Sequence, residues 1–180
     1  MPQPGLNAAC DETRRRPGRP DEIALDSLMP DPFARLTLSL LRWHFQTFAA
    51  PASQGWLRAL HCATLHAGPN AAGALCYDLV AVVQALRATR RSSFRFNPEG
   101  CACCRVWLTP DERRLVEMIG AVRAGRLGRA QALGQILCDG NPAENLIAMT
   151  EVYLNRHAPR ASPGADDERP DPMVCRPQPG

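Results

Sequence analysis

The stretch "DPFARLTLSLLRWHFQTFAA" (residues 31–50) sets the fold class of this chain. Asp31 can cap a helix that has Pro32 at its first position, and no further Pro follows until Pro51. Leu and aromatic side chains occupy most of the circumference of this predicted helix. A helix that is apolar on nearly all sides has to be covered on several sides. The stretch therefore predicts a helix packed among other helices.

Two further helices are predicted immediately downstream. The segment "SQGWLRALHCATLHAG" (residues 53–68) ends with Gly ahead of a Pro, and Leu57 and Leu60 lie on its apolar side. Asn70 can then cap a third helix. The apolar residues of this third helix keep the i, i+3, i+4, i+7 spacing of a face turned towards a core: Leu75, Cys76, Leu79, Val82, Val83 and Leu86.

Two capping boxes predict the start of further helices. Thr109 is followed by Pro and, three residues on, by Glu112, and Asn141 is followed in the same way by Glu144. Between them "GRAQALGQILC" (residues 128–138) is a shorter helical segment. Six helices with short connections, and few β-branched residues, predict an all-α fold: a single bundle of about six helices.

The composition divides the chain into a domain and two tails. Pro, Gly and charged residues concentrate in residues 1–30 and 159–180, which cannot bury enough apolar surface to offset the entropy of ordering. Both are therefore predicted to be flexible tails, and within the first only residues 21–29 suit a short docked turn. The helical domain spans residues 31–158, and its one long irregular stretch is the Cys-rich loop of residues 92–108.

The charge pattern bears on the class of partner. Between residues 32 and 158 the chain has 14 Arg and eight acidic residues, a net charge of +6, while the rest of the chain is net −3. An Arg cluster in the fourth helix and the following turn could contact phosphates: Arg113, Arg114, Arg123, Arg126 and Arg129. The last helix, however, begins with acidic residues, so nucleic acid is not expected. A protein partner is expected, with a homo-oligomer as an alternative.

The compartment is inferred from composition. All 21 basic residues are Arg, and Ala, Pro and Gly are abundant, which is typical of a GC-rich bacterial genome. The N-terminal residues show no apolar stretch behind their charges, so no secretory signal is predicted. Arg or Asp interrupts each apolar run before the roughly 18 residues that a membrane span needs. We therefore expect a cytoplasmic protein without membrane contact, in which eight Cys do not form a disulfide framework.

Three cysteines lie close together in "CACCRVWLTPDERR" (residues 101–114). In an extended backbone Cys101 and Cys103 would point to the same side, as two ligands of one soft metal ion would. Cys104 would point away, unless the chain bends and adds a third thiolate. Arg105 and the start of the following helix bring positive potential that favours thiolates. The alternatives for these thiols are metal ligands, a redox or reactive centre, and simple packing of a tight loop.

A tetrahedral site would need further ligands. Cys62 and His66 are four residues apart on the second helix, opposite its apolar side, and are the best candidates to complete a site with the loop thiols. The metal is then zinc or another thiophilic ion. The spacing, however, matches no zinc-finger or iron–sulfur pattern. Cys76 and Cys138 occupy apolar helix positions and are predicted to be small core residues.

No enzyme motif is present. The sequence contains no G-x-S-x-G, no Walker A motif, no dinucleotide fingerprint and no paired carboxylates, although a Cys nucleophile with a distant His base stays open. The leading prediction is a small cytoplasmic bacterial protein that acts by binding, as a regulatory, adaptor or accessory factor. The alternative is a metal-binding or thiol-redox protein centred on the loop of residues 101–104.

Overall fold

A computed structural model describes residues 16–29 and 31–159 of the chain. Within these residues seven α-helices and one two-stranded antiparallel sheet are formed, which confirms the all-α prediction. The elements are β1 (Ile23–Ala24), α1 (Leu25–Leu28), α2 (Pro32–Ala49), α3 (Gly55–Ala67), α4 (Pro69–Thr89), β2 (Trp107–Leu108), α5 (Pro110–Arg123), α6 (Leu127–Leu137) and α7 (Glu144–His157). A short 3-10 helix, Pro51–Ser53, connects α2 to α3.

The apolar α2 is packed among other helices, as its composition predicts. It contacts α3 and α4 extensively and α5 over a smaller area. Two further pairings, α4 with α7 and α5 with α6, complete the bundle. The centre of the core is formed by Leu side chains with no or almost no exposed surface: Leu40, Leu41, Leu79, Leu86, Leu115, Leu137 and Leu146.

Two of the predicted helix caps are present. The Asp31 carboxylate accepts a hydrogen bond from the backbone N–H of Phe33 (3.1 Å) at the start of α2. At the start of α5, Thr109 Oγ1 accepts from the backbone N–H of Glu112 (3.2 Å), and Glu112 Oε2 accepts from the backbone N–H of Thr109 (2.8 Å). The capping box predicted at Thr109 is therefore confirmed in both halves.

Two other predicted caps are wrong. Asn141 does not cap α7, whose N-cap is Ala143; its amide instead donates to the carbonyls of Thr89 (3.0 Å) and Cys138 (2.8 Å) and so connects the ends of α4 and α6. Asn70 lies inside the first turn of α4, where Gly68 at φ 78° is the N-cap. At α7 the Asn141 side chain is engaged in tertiary hydrogen bonds instead of the cap. At α4 a Gly with positive φ takes the N-cap position.

The orientation of α3 also differs from the prediction. Leu57 is 47% exposed, and the helix buries Gly55, Ala59, Cys62 and Ala63 instead. The reason is the close approach of α3 to α2. A Cβ atom at Gly55 would collide with the carbonyl oxygen of Trp43, so only a face of small residues fits there.

The segment before α2 packs on the domain. β1 pairs with β2 in antiparallel register, with Ile23 opposite Leu108, and Met29 joins Leu38 and Leu108 in a second apolar cluster. Residues 16–29, predicted as part of a tail that ends at residue 30, are therefore held by strand pairing and apolar contacts. The remainder of that tail and residues 160–180 lie outside the described residues.

One helix among the described residues, α4, is long and apolar enough to cross a membrane by length and composition alone. Half of its most apolar window is buried against the rest of the protein, as it is for a core helix. The apolar composition that meets the membrane criterion is therefore also what packs α4 into the bundle.

Candidate functional site

The three loop cysteines lie on a tight turn. The backbone N–H groups of Cys104 (3.1 Å) and Arg105 (2.9 Å) both donate to the carbonyl of Cys101, and Trp107 N–H donates to the carbonyl of Cys104 (3.0 Å). Cys103 Sγ lies 3.2 Å from Cys101 Sγ and 3.9 Å from Cys104 Sγ. All three sulfur atoms lie within 4.8 Å of one another. The turn therefore presents three thiols to one small volume.

This geometry corrects the expected extended backbone. In an extended chain Cys104 would point away from Cys101 and Cys103. Because the chain bends, the third thiol joins the other two. Cys103 is buried, while Cys101 and Cys104 are partly exposed, so an ion could reach the sulfur atoms from solvent.

A buried arginine holds the turn from beneath. Arg42 of α2 is 1% exposed, and its guanidinium donates to the carbonyls of Arg105 (Nη1, 2.8 Å) and Trp107 (Nη2, 2.7 Å). It also donates to Glu112 (2.7 and 3.2 Å) and to Glu99 (3.2 Å). Burial lowers the pKa of Arg42, but the two carboxylates outweigh that effect and raise it. Arg42 therefore stays charged and ties the turn to α2 and α5.

Both carboxylates that pair with Arg42 also accept hydrogen bonds from other groups. Glu112 is completely buried and accepts bonds from Arg42, from Thr109 N–H and from the backbone N–H of Asn97 (3.0 Å). Glu99 precedes the cysteine turn by two residues and accepts a second bond from Ser39 Oγ (2.9 Å). A buried charge is tolerable only when it is paired and hydrogen-bonded, and these two meet that condition.

The ion network extends to the N-terminal segment. Arg16 donates to both oxygens of Glu22 (2.7 and 3.0 Å), and the amide of Asn97 donates to Glu22 (3.2 Å) and to the carbonyl of Trp107 (3.0 Å). Burial raises the pKa of Glu22, but the bonds from Arg16, Arg19 N–H and Asn97 outweigh it and lower the pKa to about 2. The hydrogen bond to Glu22 raises the pKa of Arg16, and the Cys104 side chain contributes to the increase. A cation therefore lies beside the thiol turn.

The structure does not bring the two other predicted ligands, Cys62 and His66, close to the three loop cysteines. Among the described residues, the set of ligand atoms within 4.8 Å of one another contains Cys101, Cys103 and Cys104, and neither Cys62 nor His66. Cys62 is buried on the core face of α3, and His66 Nδ1 lies 2.9 Å from the carbonyl oxygen of Cys62 and 4.0 Å from its Sγ. These two residues contact each other within one helix, and Cys62 is disulfide-bonded, so its sulfur does not serve as a metal ligand.

The remaining cysteines and histidines are placed as follows. Cys138 is fully buried at the end of α6, as predicted, and Cys76 is partly buried against the core, where burial raises the pKa of its thiol to about 11. His44 is buried, and its Nε2 atom has no hydrogen-bond partner among the described residues. His61 is exposed.

Sequence reasoning missed the ion network. Arg42 in the middle of an otherwise apolar helix was the available signal, because a buried Arg requires acidic partners. The sequence pattern predicts only the capping role of Glu112, which this residue also fills. Its pairing with Arg42, 70 residues earlier in the chain, is a tertiary contact that no local pattern indicates.

No protein-family model, curated protein or solved structure is significantly similar to this chain. The thiol turn and the ion network that holds it are therefore the features from which a function can be inferred.

Proposed function

We propose that this protein acts by binding and that its thiol turn binds one thiophilic metal ion through Cys101, Cys103 and Cys104. The spacing of the sulfur atoms carries the proposal. Two thiolates on a tetrahedral zinc ion, each with a bond of about 2.3 Å, are separated by about 3.8 Å. The observed separations of 3.2 and 3.9 Å bracket that value. Small side-chain rotations would suffice to bring the sulfurs onto an ion.

The ion network supports the proposal because it holds the turn in shape without a ligand. Arg42 bonds the carbonyls of Arg105 and Trp107, which follow the cysteines directly. Binding then costs little further ordering of the backbone, which favours affinity. Arg16 beside Cys104 offsets part of the negative charge that three thiolates would place on a divalent ion.

Three thiolates favour zinc or another soft ion over magnesium or calcium, which prefer oxygen ligands. Zinc is usually four-coordinate, so three protein ligands leave one position for water or for a ligand from a partner. That open position is compatible with an accessory or regulatory role, in which the metal contacts a second molecule.

A binding role is also supported by the large apolar side chains that α3 and α4 expose. Trp56, Leu57 and Leu65 on α3 and Tyr77 on α4 are 52%, 47%, 62% and 73% exposed. Large exposed aromatic and aliphatic residues are typical of protein contacts. Light scattering distinguishes self-association from a monomer: a homo-oligomer on this surface would dissociate in the Leu65→Ser, Tyr77→Ser double variant.

Thiol redox chemistry is the second candidate, and one distance favours it. Cys101 Sγ and Cys103 Sγ are 3.2 Å apart, and a disulfide bond is about 2.05 Å long. Oxidation would form one S–S bond between them, and the two electrons and two protons would pass to a small-molecule disulfide, which would be reduced to two thiols. A disulfide there would also remove two of the three metal ligands.

Metal analysis tests the proposal. The full chain, reduced and purified without chelator, is loaded with Zn²⁺, desalted, and its zinc content measured together with competition by a chromophoric chelator. We expect one zinc per chain, at least tenfold weaker binding in Cys103→Ser and Cys104→Ser, and unchanged binding in the matched control Cys76→Ser. Equal zinc content in all four proteins, or none in the wild type, contradicts the proposal.

The same proteins test the redox candidate. After mild oxidation, intact mass and peptide mapping show whether Cys101 and Cys103 are joined. A wild type that binds no zinc but rapidly forms this disulfide would favour redox chemistry over metal binding.

A further inference from the structure

A cavity of about 240 Å³ opens between α1, α2, α5, α6 and α7, and no residue of the thiol turn lines it. Its wall is largely apolar and includes Leu28, Met29, Phe33, Val116, Ile119 and Leu154. Water in such a space makes few hydrogen bonds, so an apolar group that replaces it is favoured.

Arginines form one rim of the cavity. Arg123 pairs with Asp31 and lies over the ring of Phe33, 5.3 Å from its centroid. Arg129 pairs with Glu117 (3.5 Å), which Arg113, a residue outside the cavity lining, also approaches (3.9 Å). Arg126 also lines the cavity and forms no ion pair with any acid of the described residues. Three arginines and two acids give this rim a net charge of +1, and the unmatched cation is Arg126.

We propose that this cavity binds an amphiphilic monocarboxylate: one carboxylate on an unbranched apolar chain. The carboxylate pairs with Arg126, whose planar guanidinium can donate two parallel hydrogen bonds to it. The chain lies against the apolar wall and replaces water there. A dianionic or nucleic-acid ligand fits poorly, because among the described lining residues one charge is unmatched and Arg123, Arg126 and Arg129 are the only cations.

The volume limits the length of the chain. At roughly 30 Å³ for a group the size of a water molecule, 240 Å³ holds about eight such groups. Octanoate is therefore the probe, and octanol, which has the same chain without the charge, is its neutral counterpart.

Gly120 allows the cavity to be filled without disturbing the fold. It lines the cavity on α5, is exposed, and a Cβ atom added to it meets no other atom within 4 Å. Gly73 on α4 is exposed and equally open, but lies outside the cavity. Gly120→Leu and Gly73→Leu both replace an exposed helical Gly by a better helix former, so they differ mainly in what the new side chain fills.

Calorimetric titration of the full chain with octanoate, below its micelle concentration, tests the proposal. We expect saturable binding of one octanoate to wild type and to Gly73→Leu with equal affinity, and loss of binding in Gly120→Leu. Arg126→Gln should weaken octanoate binding at least tenfold and leave octanol binding unchanged, whereas the exposed control Arg91→Gln should change neither.

Three results overturn the proposal. The wild type binds no octanoate, which includes the case that another segment of the chain occupies the cavity. Gly120→Leu binds as Gly73→Leu does, which places the ligand elsewhere. Arg126→Gln binds octanoate as the wild type does, which means that the charge at the rim does not recognise the carboxylate.

Discussion

The two sides of α2 are stabilised by opposite kinds of interaction. On the side that faces α3 and α4, Leu40 and Leu41 are fully buried among apolar side chains. On the side that faces α5 and the cysteine turn, Arg42 is equally buried but contacts two carboxylates and two carbonyls. One helix thus separates an apolar core from a buried ion network.

The difference concerns what each side specifies. Apolar burial depends on area and volume and tolerates many arrangements of similar side chains. A buried ion pair gains little net stability, because desolvation offsets attraction, but its bonds have direction. We infer that the ion network specifies the shape of the thiol turn, whereas the apolar side supplies most of the free energy that stabilises the fold.

The largest expected effect is that of Arg42→Met. Removal of the cation leaves Glu112 and Glu99 buried without their charge partner, and breaking a buried pair in this way costs about 3–5 kcal/mol. The measurement is urea unfolding of the wild type and the variant at pH 7. A loss below about 1 kcal/mol would mean that water or a rearranged side chain replaces Arg42, and the proposed contrast between the two sides would fail.

A core variant provides the matched control. Leu137→Ala removes a fully buried side chain of α6 and should lose a similar 2–5 kcal/mol. Zinc affinity should nevertheless be unchanged in Leu137→Ala and at least tenfold weaker in Arg42→Met, under conditions in which both remain folded. Equal zinc affinity in the two would show that the network does not shape the turn.

The helical content of the fold was predictable because its signals are local. Asp31 and the Thr109 capping box mark helix starts within a few residues of sequence, and both are observed. The orientation of α3 was not predictable from Leu57, because it depends on the close approach of Gly55 to Trp43. A hydrophobic pattern cannot show that one face of a helix must consist of small residues.

The candidate site was predictable only in part. The spacing of Cys101, Cys103 and Cys104 indicated a thiol cluster, and the structure brings their sulfur atoms together. The bend brings Cys104 to the other two thiols, and the carbonyl of Arg105 that follows it accepts a bond from Arg42, a residue distant in sequence. The proposed contribution of Cys62 and His66 rested on helical spacing alone, which gives no distance to the loop.

The second prediction concerns a titratable group within the helix itself. His44 shares a face of α2 with Leu41 and Phe48, and burial lowers its pKa to about 4. Because the unfolded state binds the proton more tightly, with a pKa near 6.5, the free energy of unfolding is highest above pH 6.5 and falls towards pH 4. Between pH 7.5 and 5 the loss should be about 2 kcal/mol, measured by urea unfolding.

Between pH 5 and 7.5 the titration of His44, and not that of Glu22, changes the free energy of unfolding. The pKa of Glu22 is lowered to about 2, so its contribution is lost only as the pH falls below about 4.5. His44→Leu should remove most of the slope between pH 7.5 and 5. If the slope persists in that variant, another group titrates and the buried imidazole of His44 is not its cause.

The smallest expected effect is that of Thr109→Ala, which tests whether the cap or the ion network holds the start of α5. The variant loses the bond from Glu112 N–H to Thr109 Oγ1 and the bond from Thr109 Oγ1 to the carbonyl of Arg95 (2.7 Å). Such a loss costs about 1 kcal/mol, and Thr109→Ser should restore most of it. Glu112 keeps its bonds to Arg42, so zinc affinity should not change. If Thr109→Ala instead lost as much free energy of unfolding as Arg42→Met, the cap and not the ion network would stabilise the start of α5.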